Sequence, residues 1–272
     1  MSIVACVKVY DGIAIGAESM TQLFANVNGQ AQLIKAYGHA QKIFQVADYP
    51  IGALTYGAGN IGNRSMESFV HQFSDLERQE RKQDRSLQGV AQRLLLFLRT
   101  HYEGGFNSIP EAQRPVIGFY LAGYSPGTDG QPPLASEWEF TLPASQAPVE
   151  ARPWNMYGAS WRGVSIPFTR VLFGVDPRLD QILANLGVAP QVIQEMRRLV
   201  SEQLTSKIAF DGMPIQDAIG FCKYIIDTTV GLATYEIGVA SCGGPVNLAV
   251  ISRLGFEWVS KPKFTLPTSP TS

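Results

Sequence analysis

Residues 2–18 read SIVACVKVYDGIAIGAE, and they decide the architecture. Asp11-Gly12 falls between two apolar runs, Ile3 to Tyr10 and Ile13 to Ala17. Both turn positions favour residues that tolerate positive φ, so the pair marks a β-hairpin. Val and Ile on both sides suit a pleated surface. The chain is expected to open directly on this hairpin. Its first strand starts within a residue or two of Ser2, and its return strand ends at Glu18.

Outward from the hairpin, a polar stretch from Met20 to Lys35 carries no strand signal. Strands are expected at Gln41–Ala47 and Ile51–Tyr56, the second broken by Gly57-Ala58-Gly59. Apolar spacing predicts helices over Ile61–Leu76 and Leu87–Tyr102. The charge run Asp75–Arg85 between them reads as a solvated helix end or turn. Further strands are expected at Pro115–Tyr124 and Ser136–Leu142, with Ser145–Pro153 irregular. Helical patterns recur at Ser165–Phe173, Pro177–Leu186, Pro190–Thr205 and Ile215–Thr229. Pro245–Ser252 and Phe256–Ser260 form a final strand pair. Segregated runs of strands and helices suggest an α+β fold, with helices packed on antiparallel sheets. One domain is expected over residues 1–260, and the Pro-, Ser- and Thr-rich tail, 261–272, is expected to be disordered.

The 272 residues carry 22 Lys plus Arg against 23 Asp plus Glu. That balance leaves no basic field to hold nucleic acid or an anionic membrane. Hydrophobic residues reach 45% and charged residues 17%, enough for a packed core without metals or disulfides. Cys6, Cys222 and Cys242 form no CxxC pair, and His39, His71 and His101 have no HExxH spacing. No metal or cofactor is therefore expected, and reduced thiols fit the cytoplasm. No apolar run reaches the roughly 18 residues that span a bilayer.

A chain without an obvious Ser-His-Asp pattern can still make a nucleophile at its own start. Removal of Met1 would give Ser2 a hydroxyl and a free α-amine on one residue. An α-amine has a pKa of roughly 8, so it can take the hydroxyl proton near neutral pH without a histidine. Glu18 closes the return strand, Lys42 precedes Ile43-Phe44-Gln45-Val46, and Gly57 can bring a bare backbone N–H close to a substrate. Each has a plainer reading: a disordered terminal Ser, a strand-edge Glu, a surface Lys (with Lys35 as competitor) and a strand-terminating Gly.

These segments resemble the β-type subunits of the 20S proteasome and their bacterial relatives. The resemblance rests on the spacing of Ser2 and Glu18, on Lys42-Ile43-Phe44-Gln45-Val46, and on Tyr56-Gly57-Ala58-Gly59. Cys242-Gly243-Gly244-Pro245-Val246-Asn247-Leu248-Ala249-Val250-Ile251 is similar to a late strand of that family. It implies a four-layer αββα sandwich of the N-terminal-nucleophile type. Ser2 is then the nucleophile and its α-amine the base. Lys42, held by Glu18, lowers the hydroxyl's pKa, and the Gly57 N–H receives the oxyanion. Thr55 falls near the wall of the first specificity pocket, and Ser160 of Gly158-Ala159-Ser160 is offered to the α-amine.

The departures are specific. Ser stands for the family's Thr. Cys242 stands where the family has Ser, and Val239 where it has Asp, with Asp227 or Glu236 as substitutes only if the loop is rebuilt. Residues 174–212 are an insertion of one or two helices, whose apolar faces pack on the body or form a subunit interface. The implied activity is a ring-forming endopeptidase acting on peptides or unfolded protein. A non-catalytic scaffold subunit and an amidase of the same nucleophile class are the alternatives. The sequence specifies neither an unfoldase partner, nor a ring size, nor a cleavage preference.

Overall fold

Ile3–Val9 (β1) and Gly12–Ala17 (β2) pair as the expected hairpin in the computed structural model, which describes residues 2–27, 30–80, 84–127 and 130–261. Thr21–Val27 (β3), Gln30–Tyr37 (β4), Ile43–Gln45 (β5) and Ile51–Gly57 (β6) follow. Asn60–Ile61 (β7) and Arg64–Ser65 (β8) lead into the helices Met66–Glu80 (α1) and Leu87–Phe106 (α2). Ile117–Ser125 (β9), Leu134–Leu142 (β10), Val149–Arg152 (β11) and Gly158–Gly163 (β12) come next. The chain continues through Ile166–Phe173 (α3), Leu179–Asn185 (α4), Pro190–Gln203 (α5) and Ile215–Tyr235 (α6) to Asn247–Ser252 (β13) and Gly255–Ser260 (β14).

The fold is mixed, with helices packed on two antiparallel five-stranded sheets. One has the order β12-β1-β2-β13-β14 and the other β11-β10-β9-β6-β5. Alternation along β1 explains how the first sheet packs on both faces. Ile3, Ala5, Val7 and Val9 join a cluster with Phe168 of α3 and with Ala218, Cys222, Ile225 and Ile226 of α6. Val4 and Cys6 belong instead to a cluster with Ile43, Leu54, Tyr120 and Ala122 of the second sheet. The second sheet's other face, with Phe44, Ala53, Phe119 and Phe140, packs on Phe69, Val70, Leu94 and Leu98 of α1 and α2. Gly52 keeps the sheets close: a Cβ there would lie 2.6 Å from Ile15 Cδ1. The N-terminus of α2 is capped by Ser86, whose Oγ accepts the Gly89 N–H at 3.1 Å.

Several elements differ from the sequence reading. The polar stretch Met20–Lys35 forms a two-stranded hairpin, β3–β4. Leu23, Ile34 and Tyr37 are exposed there, so these apolar residues mark no core-facing side. The small β7–β8 hairpin delays α1 to Met66, and Ile61 reaches the core from a strand rather than a helix. Ser145–Pro153 contains the edge strand β11, and β12 was not anticipated as an element. The helical patterns expected at Pro177–Leu186 and Pro190–Thr205 form α4 and α5, and only Ile193 among their residues is buried. Met1 and, apart from Lys261, the tail expected to be disordered lie outside the described residues. Among the described residues, no helix is long and apolar enough to cross a membrane.

Candidate active site

The hairpin and the sheet-to-sheet packing bring three separate chain segments together around Ser2. Ser2 stands just before β1, and its carbonyl accepts the Val164 N–H at 2.7 Å. Glu18 stands just after β2 and donates its N–H to the Ile3 carbonyl at 3.3 Å. Lys42 comes from the other sheet, just ahead of β5, and is fixed there because its carbonyl accepts the Thr55 N–H at 3.0 Å. All three side chains are buried.

Lys42 Nζ donates to Ser2 Oγ at 2.9 Å, to the Met20 carbonyl at 2.6 Å, and to Glu18 Oε1 in a short ion pair. An ammonium has three N–H donors and a neutral amine only two, so three oxygen acceptors call for the charged form. Burial pushes the Lys42 pKa below its ordinary value, and the Glu18 carboxylate opposes that shift. Glu18 Oε2 accepts the Met20 N–H at 2.7 Å and the Gly243 N–H at 3.0 Å. With the Lys42 N–H on one lone pair, Ser2 Oγ can still turn its own proton towards a base.

Gly57 ends β6 at φ +88°, where a Cβ would lie 2.2 Å from the Val116 carbonyl oxygen. Only glycine fits that turn without strain. Gly57 lines two cavities shared with Ser2 and Lys42. One, of about 170 Å³, also touches Thr55, Met66 and Glu67. The other, of about 450 Å³, touches Met20, Leu23, Phe106 and Val116.

The residues named from sequence do not all meet. Ser2, Glu18 and Lys42 form one hydrogen-bonded cluster, and Gly57 and Thr55 border the same cavity. Ser160 is elsewhere. It faces Cys6 on β1, three residues or about 10 Å along β12 from the Gly163 that pairs with Ile3. Its hydroxyl donates to Glu137 Oε2 at 3.1 Å and accepts from Arg152 at 3.0 Å. Sheet register therefore places it in a second polar cluster. There Glu137 also takes the Tyr120 hydroxyl and the Arg152 guanidinium, while Lys8 donates to the Ala135 and Pro153 carbonyls at 2.8 and 2.6 Å. Burial raises the Glu137 pKa and lowers that of Lys8 to about 8.

Asp227 is exposed and paired with Lys223, and Glu236 is exposed, so neither stands in for the missing late Asp. Cys242 is buried, and burial followed by the Glu18 charge raises its thiol to about 11. It is a thiol at neutral pH, not a thiolate nucleophile. Sequence reasoning missed the backbone groups. Gly243 holds Glu18 by its N–H, and its carbonyl accepts the Ser19 and Met20 N–H groups at 3.1 and 2.8 Å. Backbone donors carry no residue-type signal. The Cys242-Gly243-Gly244 motif was the one hint. Among the described residues, no group of three or more His, Cys, Asp or Glu could hold a metal ion.

The fold is similar to that of solved Anbu (ancestral beta-subunit) structures. Anbu from Yersinia bercovieri matches with a TM-score of 0.55 and 11% identity, over 95% of this chain and 87% of that one. The Anbu (Gly-1) mutant from Hyphomicrobium sp. strain MC1 matches with a TM-score of 0.54 and 12% identity, over 99% and 89%. The helical assembly of the Anbu complex from Pseudomonas aeruginosa matches with a TM-score of 0.51 and 15% identity, over 96% and 88%. No family model matches the sequence, and no curated protein does. These neighbours correct the assignment to proteasome β-type subunits. The motifs that suggested it are short segments around the site, whereas the whole architecture aligns with Anbu structures.

Proposed function

We propose that this chain is a self-assembling, proteasome-like subunit that hydrolyses peptide bonds with Ser2 as nucleophile. The observation that carries the reading is the Lys42 ammonium, which is buried, paired with Glu18 and hydrogen-bonded to Ser2 Oγ. The reading requires Met1 to be removed, so that the Ser2 nitrogen becomes a free amine. The layering of α1 and α2, two sheets, then α3 and α6, is read as a four-layer αββα sandwich.

In the proposed reaction the Ser2 α-amine takes the hydroxyl proton while Oγ attacks the scissile carbonyl. The developing oxyanion is met by the Gly57 N–H, and the Lys42 charge favours the alkoxide character of Oγ. The C–N bond breaks, and the α-ammonium returns its proton to the leaving amine. Water, deprotonated by the same α-amine, then releases the acyl group from Oγ and restores Ser2. Self-association is supported by the helical assembly described for the Pseudomonas aeruginosa Anbu complex.

Intact-mass measurement and a fluorophosphonate probe test the reading together. The expected result is a chain lacking Met1, one phosphonyl adduct on Ser2, and no adduct in Ser2→Ala. Retained Met1 in the purified native protein, or equal labelling of Ser2→Ala, would refute it.

A further inference from the structure

The two cavities at Ser2 differ in charge. Among the described residues lining the larger one, Lys42 is the one charged side chain. The smaller one has a second, Glu67, in the first turn of α1. Lys42 is already neutralised by Glu18. Among the described residues the carboxylate of Glu67 has only a loose contact, 3.7 Å from His71, and both side chains are roughly half exposed or more. Such a contact contributes little. Arg64, on the strand just before, is turned away: its guanidinium donates to Ser68 and Gln72 and lies over the Phe69 ring. A Glu in the first turn favours any helix start. What sets Glu67 apart is that its helix begins on the wall of the cavity beside Ser2.

We infer that the smaller cavity selects a basic side chain on the residue whose carbonyl Ser2 attacks, with Glu67 as the selecting group. The inference rests on the reading of Ser2 as nucleophile and adds the substrate class. At about 170 Å³ the cavity is more than ten times the space of about 10–15 Å³ that one water needs. That accommodates the five heavy atoms of a lysine side chain and most of the seven of arginine. Met66 and Thr55, both buried, offer methyl and methylene surface to the aliphatic stem, and Gln41 adds a neutral polar group. An acidic side chain would meet Glu67 with no free cation to pair with.

Binding and cleavage are measured separately, so that the two readings fail separately. Tripeptide amides ending in Arg, Leu or Glu are titrated calorimetrically into Ser2→Ala, which keeps the pocket and cannot cleave. The Arg peptide is expected to bind about fivefold more tightly than the Leu peptide, the upper range for an ion pair open to solvent, and the Glu peptide most weakly. Adding Glu67→Gln should abolish the Arg preference, and Glu67→Lys should reverse it. Equal binding of Arg and Leu peptides, or an Arg preference that survives Glu67→Gln, overturns the inference. The matching fluorogenic peptides are then given to the unsubstituted protein. Cleavage after Arg supports the inference, and Ser2-dependent cleavage after Leu or Glu instead overturns it while leaving the nucleophile in place. Absence of cleavage beside an intact Arg binding preference refutes the nucleophile and still supports the pocket's selectivity for basic side chains.

Discussion

Replacing Lys42 by Met separates the two energies that meet in the buried pair. Glu18 is fully buried and Lys42 nearly so. Lys42→Met keeps most of the volume but strips the Glu18 carboxylate of the cation it pairs with, leaving it, among the described residues, two N–H groups, from Met20 and Gly243. Leaving a buried charge unpaired costs about 3–5 kcal/mol. Ser2 Oγ and the Met20 carbonyl also lose a donor. The pair as a whole is another matter. Taking two charges out of water offsets much of the attraction between them. Removing both charges, as Lys42→Met with Glu18→Gln, should therefore be much milder than removing one. A Gln retains an oxygen for the Met20 and Gly243 N–H groups and has no charge to neutralise. Urea denaturation of the four proteins of this cycle should show a loss of about 3–5 kcal/mol for Lys42→Met, with about 2 kcal/mol or more recovered in the double variant. Additive losses, or a Lys42→Met loss below about 1 kcal/mol, would show that the ion pair is not the arrangement described.

Three further outcomes follow from the same structure. The Lys8 pKa falls from 10.5 to about 8 on folding, because burial outweighs the Glu137 charge. Between those pH values the unfolded chain holds a proton that the folded chain has released, so stability rises with pH across the window, by up to about 3 kcal/mol. Lys8→Met should remove that rise in pH-dependent chemical denaturation, and an unchanged slope would contradict it. Gly57→Ala forces a side chain into the left-handed region and onto the Val116 carbonyl, so it should cost at least about 1–2 kcal/mol. Thermal melting at wild-type temperature would argue that the turn is not as described. Cys6, Cys222 and Cys242 are buried with raised pKa values, so Ellman's reagent at pH 8 should report no fast thiol until denaturant is added. A thiol that reacts within seconds in the native protein would count against that burial.

The opening hairpin was legible because Asp11-Gly12 is a strong local signal between Val- and Ile-rich runs. That Glu18 and Lys42 approach Ser2 was implied only by the resemblance of their short motifs to proteasome β-type subunits. Strands hidden from the core were not legible. In β3–β4, residues such as Leu23, Ile34 and Tyr37 face solvent, so nothing in the hydropathy pattern separates them from a polar loop. β12 runs from glycine to glycine and edges its sheet, pairing on one side only. Missing it left Ser160 without a register, and register puts it opposite Cys6. Glu137 shows the reverse case. A Glu inside a strand reads as a solvent-facing charge, yet it is fully buried and satisfied by Tyr120, Arg152 and Ser160. Partners so distant in sequence announce themselves only in three dimensions.

Ser2 and Lys42 belong to different sheets, so their meeting works like a vernier: a slip of one sheet along the other would part them. Ser2, Val4, Cys6 and Lys8 alternate onto one side of the chain, and Lys8, about 20 Å along from Ser2, reaches across to the carbonyls of Ala135 on β10 and of Pro153 just after β11. Lys8 is thus a second polar tie between the sheets, at the far end of β1 from Ser2. On the proposed reading of Ser2 as nucleophile, where a misplacement of about 1 Å can cost a hundredfold in rate, a tie six residues away bears on how squarely Ser2 meets Lys42.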